Sequence, residues 1–382
     1  MNDTSLLEKK YPCLPLNTFA QTFQSPTQSY KFFWFEAVLR LSLKKDTFSF
    51  DEVVDEIIYI AWPLVVRFHL RLGPAGAKEK LNFIAAIIEK LAKSCPEALT
   101  LSREQIARLI REKNPEIRTL KKELCRYVPY RILAPFLSEY GINDKIWSST
   151  SRTIELIHSV SRKIRLPYVI EVKAKGRYEI RVDPEWRILF IHEYPILLGW
   201  LQFEKSIYLQ NKNPNVPGIV IKVNWENQKA RKLQNVRKLW DAIAQLYPDE
   251  FISIYTGKVL DRSSFEIDHF IPWSFVSNDE LWNLVPVEKD VNIRKSNRLP
   301  DWDVYFDGLV KMQNLLKKSI YSSKRIYQLF DRCRQDNLNE TWARESLYQK
   351  EDSERDMSRI LASNVHPIYD LARMQGFREW KS

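Results

Sequence analysis

The stretch from residue 255 to residue 300 constrains the fold more than any other part of the chain. Residues 265–270 read Phe-Glu-Ile-Asp-His-Phe and alternate apolar with polar, as a half-buried strand does. Phe265 and Ile267 fall on one face, Glu266 and Asp268 on the other. Ile271-Pro272-Trp273 breaks the strand, and the turn formers Ser277-Asn278-Asp279 follow. The apolar run Leu284-Val285-Pro286-Val287 can return as a second strand. The polar residues 289–296 then suit a short helix, on which Asn292 and Lys295 share a face because they are three apart. Strand, loop, strand and helix can bring Asp268, His269, Asn292 and Lys295 to one cleft.

Those residue types suit hydrolysis of a phosphodiester. A carboxylate and an amide oxygen are hard ligands, fit for Mg²⁺ that keeps several waters. A neutral imidazole titrating near physiological pH can take a proton from attacking water. A metal ion would stabilise charge on the phosphate and the leaving oxygen. A lysine beside it adds a positive charge for a phosphate oxygen.

The pattern of Asp268-His269, Asn283 and the closing Asn292-x-x-Lys295-Ser296 resembles the HNH endonucleases, whose core is a ββα-metal finger. It is most similar to the HNH domain of type II CRISPR effector nucleases, which also open with D-H-x-x-P-x-S-F and close with N-x-x-K-S. The resemblance implies that Asp268 is a metal ligand and His269 the general base. It implies that Asn283 pins the loop between the strands and so orients the histidine. Asn292 would be the second ligand, standing where other members carry a final histidine, and Lys295 would sit near the phosphate. Many members also hold a structural zinc on cysteine pairs. Here the equivalent knuckle reads Ile254-Tyr255-Thr256-Gly257, and the chain has no C-x-x-C. No structural zinc is expected; Phe265, Trp273, Phe275, Trp282 and Leu284 should hold the finger by packing.

The net charge of +11 fits a polyanionic partner. It is unevenly placed: residues 151–250 carry 17 basic and 11 acidic side chains, whereas residues 251–300 carry 6 and 7. The finger therefore gathers acids, and the flanking segments are the ones expected to hold nucleic acid. Cys13, Cys95, Cys125 and Cys333 are too far apart in sequence for a disulfide framework or a zinc site and read as reduced thiols. No secretory leader and no membrane span are expected, and a cytoplasmic location follows from these readings.

The expected fold class is α+β and mainly helical: a helical N-terminal region with a β-hairpin, then the ββα-metal finger embedded between helices. Four regions are expected, 1–165 helical, 166–218 with hairpin and helices, 219–305 with a connecting helix and the nuclease finger, and 306–382 helical. Residues 1–28 read as irregular. Ser49 to Glu52 and Ser102 to Gln105 read as capping boxes. The first of these helices is expected to run through Ile60 before Pro63 interrupts. Further helices are expected over 78–92, 151–165, from Pro184, and over 196–212. His69 and His192 read as structural. The period changes to two over 168–173 and 178–182, a hairpin whose tip presents Lys173, Lys175 and Arg177. That tip is either a solvated turn or a shape able to enter a DNA groove. A helix over 225–247 would carry Lys229, Arg231, Lys232, Arg237 and Lys238 opposite its apolar stripe, as a phosphate rail or a solvated face. Beyond Pro300, helices are expected over 321–333 and 341–361, with a turn at His366-Pro367.

The function these residues point to is a Mg²⁺-dependent DNA endonuclease, with Mn²⁺ as a substitute ion, leaving 3′-hydroxyl and 5′-phosphate ends. The partner is nucleic acid, double-stranded DNA first of all, and cutting both strands needs a homodimer or a second event. Two alternatives stay open: a non-cutting nucleic-acid-binding protein that keeps the finger as a scaffold, and an effector active only with a partner.

Overall fold

A computed structural model of the chain describes residues 5–24, 26–74, 82–174, 176–227 and 231–381. It is α+β and mainly helical, and it divides into two compact units, Met1–Pro214 and Asn215–Ser382.

In the first unit, α1 (Ser5–Lys10) and α2 (Leu16–Gln21) replace the irregular start expected from the prolines. The reason is tertiary: the Phe19 ring of α2 packs 4.8 Å from Phe35 and 5.2 Å from Trp186. Helix α3 (Tyr30–Ser42) buries every residue from Phe32 to Leu39, so it is a core helix rather than a surface one. That includes Glu36, which is neutralised by Arg40 and by the equally buried Lys205. Strand β1 (Thr47–Ser49) leads into α4 (Phe50–Val66), which opens on the Ser49–Glu52 capping box. The helix runs through Pro63 instead of stopping there, because the buried stripe of Ile57, Ala61, Leu64 and Val65 continues past it. Next come α5 (Phe83–Ala92), α6 (Arg103–Glu112) on its Ser102–Gln105 box, α7 (Asn114–Arg131), and the short α8 (Ala134–Leu137) and α9 (Asp144–Trp147). The residues expected to begin α5, 78–81, lie outside the described ones.

Helix α10 (Thr150–Ser161) precedes the hairpin of β2 (Tyr168–Ala174) and β3 (Arg177–Val182). The sheet has a third strand that the sequence reading missed: β1 pairs antiparallel with β3, giving the order β1-β3-β2. Phe48, Ile180 and Ile170 lie across from one another and are buried, as period-two alternation requires. Helices α11 (Pro184–His192) and α12 (Tyr194–Lys212) close the unit.

The second unit begins with α13 (Ile219–Val223). The helix expected over 225–247 is shorter: a 3₁₀ turn at Trp225–Asn227, then α14 (Gln234–Leu246). Lys229, Arg231 and Lys232 would have put positive charge on the positive end of a helix, which disfavours extending it through them. Arg231 and Lys232 therefore stand before α14, not along it, and Lys229 lies outside the described residues. The finger follows as β4 (Glu266–His269), α15 (Trp273–Val276), β5 (Leu284–Val287) and α16 (Lys289–Lys295). Then come β6 (Leu299–Pro300), α17 (Trp302–Ser322), α18 (Lys324–Asn337), α19 (Glu354–Met374) and β7 (Glu379–Trp380).

Two expectations for the end of the chain are corrected. The 341–361 helix is a π-helical turn at Ala343–Leu347 followed by α19 on a Ser353–Asp356 capping box. His366-Pro367 is inside α19 and not in a turn. The buried residues Leu361, Val365, Tyr369 and Ala372 keep helical spacing across the exposed proline, and packing overrides its local cost. Helix α14 packs on α18, and α17 on α18 and α19. Gln313 of α17 donates to the carbonyls of Leu281 and Trp282, tying this scaffold to the finger. No helix among the described residues is long and apolar enough to cross a membrane.

Candidate active site

Strands β4 and β5 pair antiparallel, Glu266 opposite Val287 through His269 opposite Leu284. All four residues of β5 are buried, so it is the inner strand. The chain leaving His269 is fixed by Asn283, which is itself fully buried. Its carbonyl accepts from the amide of Phe270. Its side chain accepts from the amide of Ile271 at 2.7 Å and donates to that residue's carbonyl at 2.9 Å. One asparagine thus satisfies three backbone groups of a buried turn, which would otherwise cost stability.

Helix α16 lies on the polar face of β4. Asn292 donates to Glu266 Oε2 at 2.9 Å. One turn on, Lys295 reaches Asp268 Oδ2 at 3.0 Å, Asp268 Oδ1 at 3.3 Å and the His269 carbonyl at 2.8 Å. Strand period two and helix period three coincide here: Glu266 and Asp268 stand under Asn292 and Lys295. The Tyr255 hydroxyl donates to Asp268 Oδ2 at 2.9 Å. Burial, and then the Asp268 charge, push the Tyr255 phenol well above its usual range, so it stays a donor.

The knuckle around Tyr255 is closed by hydrogen bonds. Ile252 and Val259 form an antiparallel bridge, and the Ser253 and Thr256 hydroxyls both donate to the carboxylate of Glu288. Glu288 is the residue that opens α16, so the knuckle is fastened directly to the helix carrying Asn292 and Lys295. Phe265, Phe275, Trp282 and Leu284 are buried and Trp273 is half-buried.

His269 is turned to a different partner. Its Nε2 lies 2.8 Å from Oδ1 of Asp279, and its ring is nearly enclosed. Burial lowers its pKa below the usual histidine value. Arg231 acts in the same direction, while the hydrogen bond and charge of Asp279 and the charge of Asp268 oppose it. Burial thus favours the neutral imidazole. The structure brings Asp268 together with Lys295, and Asn292 together with Glu266. It gives no direct contact between Asn292 and Asp268. Tyr255, Glu266 and Asp279 were not singled out from sequence. Glu266 was legible as the strand neighbour of Asp268, but Asp279 was read as a turn former and Tyr255 as part of a knuckle.

Whether these groups fit a hard divalent ion can be tested on their oxygens. Asn292 Oδ1 accepts no hydrogen bond among the described residues, and Asp268 Oδ1 takes only the 3.3 Å contact from Lys295. Among the described residues no three His, Cys, Asp or Glu side chains gather as a metal cage. A Mg²⁺ site with one carboxylate, one amide oxygen, and the rest water and phosphate fits this donor set.

The cations proposed for nucleic acid differ in freedom. Lys173 is paired with Glu171 at 3.1 Å and Glu179 at 3.5 Å. Arg177 is exposed and makes no ion pair among the described residues; Lys175 lies outside them. Lys232 pairs with Asp336 at 2.7 Å. Lys238 is exposed. The exposed Arg231 stands with its guanidinium 6.0 Å from the Trp273 ring and is close enough to act on His269.

Residues 246–301, from the end of α14 to the residue before α17, match the family model of the HNH endonucleases. This segment is thus similar to an HNH endonuclease domain. No curated protein and no solved structure matches the chain.

Proposed function

We propose that the chain is a metal-dependent endonuclease that hydrolyses double-stranded DNA, one strand per finger. The observation that carries this reading is the end of β4. There a neutral imidazole, His269, follows directly on a carboxylate, Asp268, that already faces a cation. General base and ion site are thereby held one residue apart on a strand whose exit Asn283 fixes.

His269 takes a proton from water, and the hydroxide attacks phosphorus in line. The P–O3′ bond breaks and the departing 3′ oxygen takes a proton from solvent water, leaving a 3′-hydroxyl and a 5′-phosphate. Asp268 and Asn292 would hold Mg²⁺, with Mn²⁺ as a substitute; bound there, such an ion supplies charge opposite the phosphate and leaving oxygen. Arg231 would supply positive charge to a phosphate oxygen, while the buried Lys295, held on Asp268 and the His269 carbonyl, would act through that carboxylate. Asn283 is a positioning residue. Lys232 and Lys238 would add phosphate contacts, and in the first unit Lys173 and Arg177, with Lys175 from outside the described residues, would offer cations to a groove. Two fingers, and so a homodimer, would cut both strands.

A second reading, binding without cutting, is favoured by one observation: Tyr255 and Lys295 already satisfy Asp268 Oδ2. A supercoiled plasmid with Mg²⁺ separates the two. Under the nuclease reading the wild type nicks or linearises it and His269→Ala leaves it intact. A salt-sensitive gel shift with no cleavage under any divalent ion supports binding alone. Equal loss of supercoiled DNA in both proteins means a contaminating nuclease if a mock purification also cuts, and a base other than His269 if it does not.

A further inference from the structure

We infer that Asp279 fixes His269 in the tautomer that leaves Nδ1 as the proton-accepting atom, and that the end of α18 holds Asp279 in place for this. The inference rests on the nuclease reading above and names a positioning residue for it. An ionised carboxylate oxygen can only accept, so Nε2 carries the hydrogen across the 2.8 Å contact. Nδ1 then bears the lone pair. It has no hydrogen-bond partner among the described residues, and it is not one of the sealed, unpaired polar atoms of the interior. It is the ring nitrogen left to meet a water.

The placement of Asp279 is itself built. The loop carrying it enters from Ser277, whose φ of 58° is in the left-handed region. The Asp279 carbonyl accepts from the Asn337 side chain at 2.9 Å. Its neighbour Glu280, 2% exposed, accepts from the Asn339 amide at 3.0 and 3.1 Å and from the Asn339 side chain at 2.9 Å. Two consecutive loop residues are therefore anchored to the last residue of α18 and the turn after it. A residue held this way, with its side chain on the ring nitrogen remote from the water, orients the base as the buried carboxylate of a catalytic triad orients its histidine.

The test uses the full chain labelled with ¹⁵N-histidine. Long-range ¹H–¹⁵N spectra should show His269 with hydrogen on Nε2 in the wild type and a mixture of tautomers in Asp279→Ala. In cleavage assays Asp279→Ala should lose about 10- to 100-fold in kcat with KM unchanged, the scale found for carboxylates that orient functional histidines. Asp279→Asn, whose amide oxygen can still accept from Nε2, should retain the Nε2–H tautomer and an intermediate kcat; it also guards against a misfolded alanine variant. A wild-type His269 with hydrogen on Nδ1 overturns the inference. So does Asp279→Ala with wild-type kcat beside an inactive His269→Ala. Undiminished cleavage by His269→Ala instead removes the base assignment itself, and this inference with it. If the wild type does not cut, the nuclease reading fails and the spectra alone decide the tautomer.

Discussion

Lys295 Nζ lies 3.0 Å from Oδ2 of Asp268, and the lysine side chain is wholly buried against it. Under the proposed function two cations, the ammonium and a divalent ion, would compete for this one carboxylate. Replacing Lys295 with Met leaves a buried carboxylate without its counter-charge, which costs on the order of 3–5 kcal/mol. It also removes the repulsion against an incoming ion. The metal-free variant should melt below the wild type, and Mg²⁺ should raise its melting temperature by more than it raises the wild type's. Equal Mg²⁺ shifts in the two proteins would show that Asp268 is not an ion ligand.

Under the proposed function the pH dependence of cleavage follows from His269. Burial depresses its pKa in the folded protein, so the base stays unprotonated below the ordinary value of about 6.5. The acid limb of the kcat profile should accordingly fall below pH 6.5. By linkage, the depressed group contributes stability that is complete above its unfolded pKa and is lost as pH falls through the folded one. A cleavage rate already halved at pH 7 would contradict a depressed histidine.

Glu288 ties the knuckle to α16 through the hydroxyls of Ser253 and Thr256. Hydrogen bonds to a charged acceptor are worth about 1.5–3 kcal/mol each. Glu288→Ala should therefore destabilise the second unit by about 3–6 kcal/mol in denaturant melts. A zinc chelator should leave the wild-type midpoint where it was. A midpoint that drops with chelator would mean that a metal, and not this carboxylate, closes the knuckle.

Lys222 is buried under the same loop, with its Nζ donating to the carbonyls of Pro217 and Phe275 and to the Ser277 hydroxyl. Burial lowers its pKa to about 7. Between that value and the unfolded pKa of about 10.4 the unfolded chain binds more protons, so stability rises with pH, by at most about 1.4 kcal/mol per unit. Lys222→Met should be less stable than the wild type and should lack this rise between pH 7 and 9. Parallel stability curves for the two proteins would sink the assignment.

The finger was legible in sequence because its signals are local. Alternation marked β4, an apolar run marked β5, and a polar stretch marked α16. Ser49 and Ser102 announced their helices for the same reason. What escaped depends on distant packing. Strand β1 is three residues long, and its Phe48 pairs with Ile180. Pro63 and Pro367 are helix breakers by local rules, but each lies where a buried stripe carries the helix onward. Asp279 looks like a turn former until Asn337, from a different helix, fixes the loop that carries it.

Arg231 is the cation whose role can be separated from solubility. It stands beside His269 and Trp273, whereas Lys232 is held by Asp336. Each phosphate contact releases about one counterion, so losing a true contact lowers the salt slope of binding by about 1. Fluorescence anisotropy with a labelled duplex, run from low to high salt, should show that loss for Arg231→Ala and a smaller one for Lys232→Ala, whose partner competes with DNA for it. A slope unchanged by Arg231→Ala would place this arginine off the path of the phosphates.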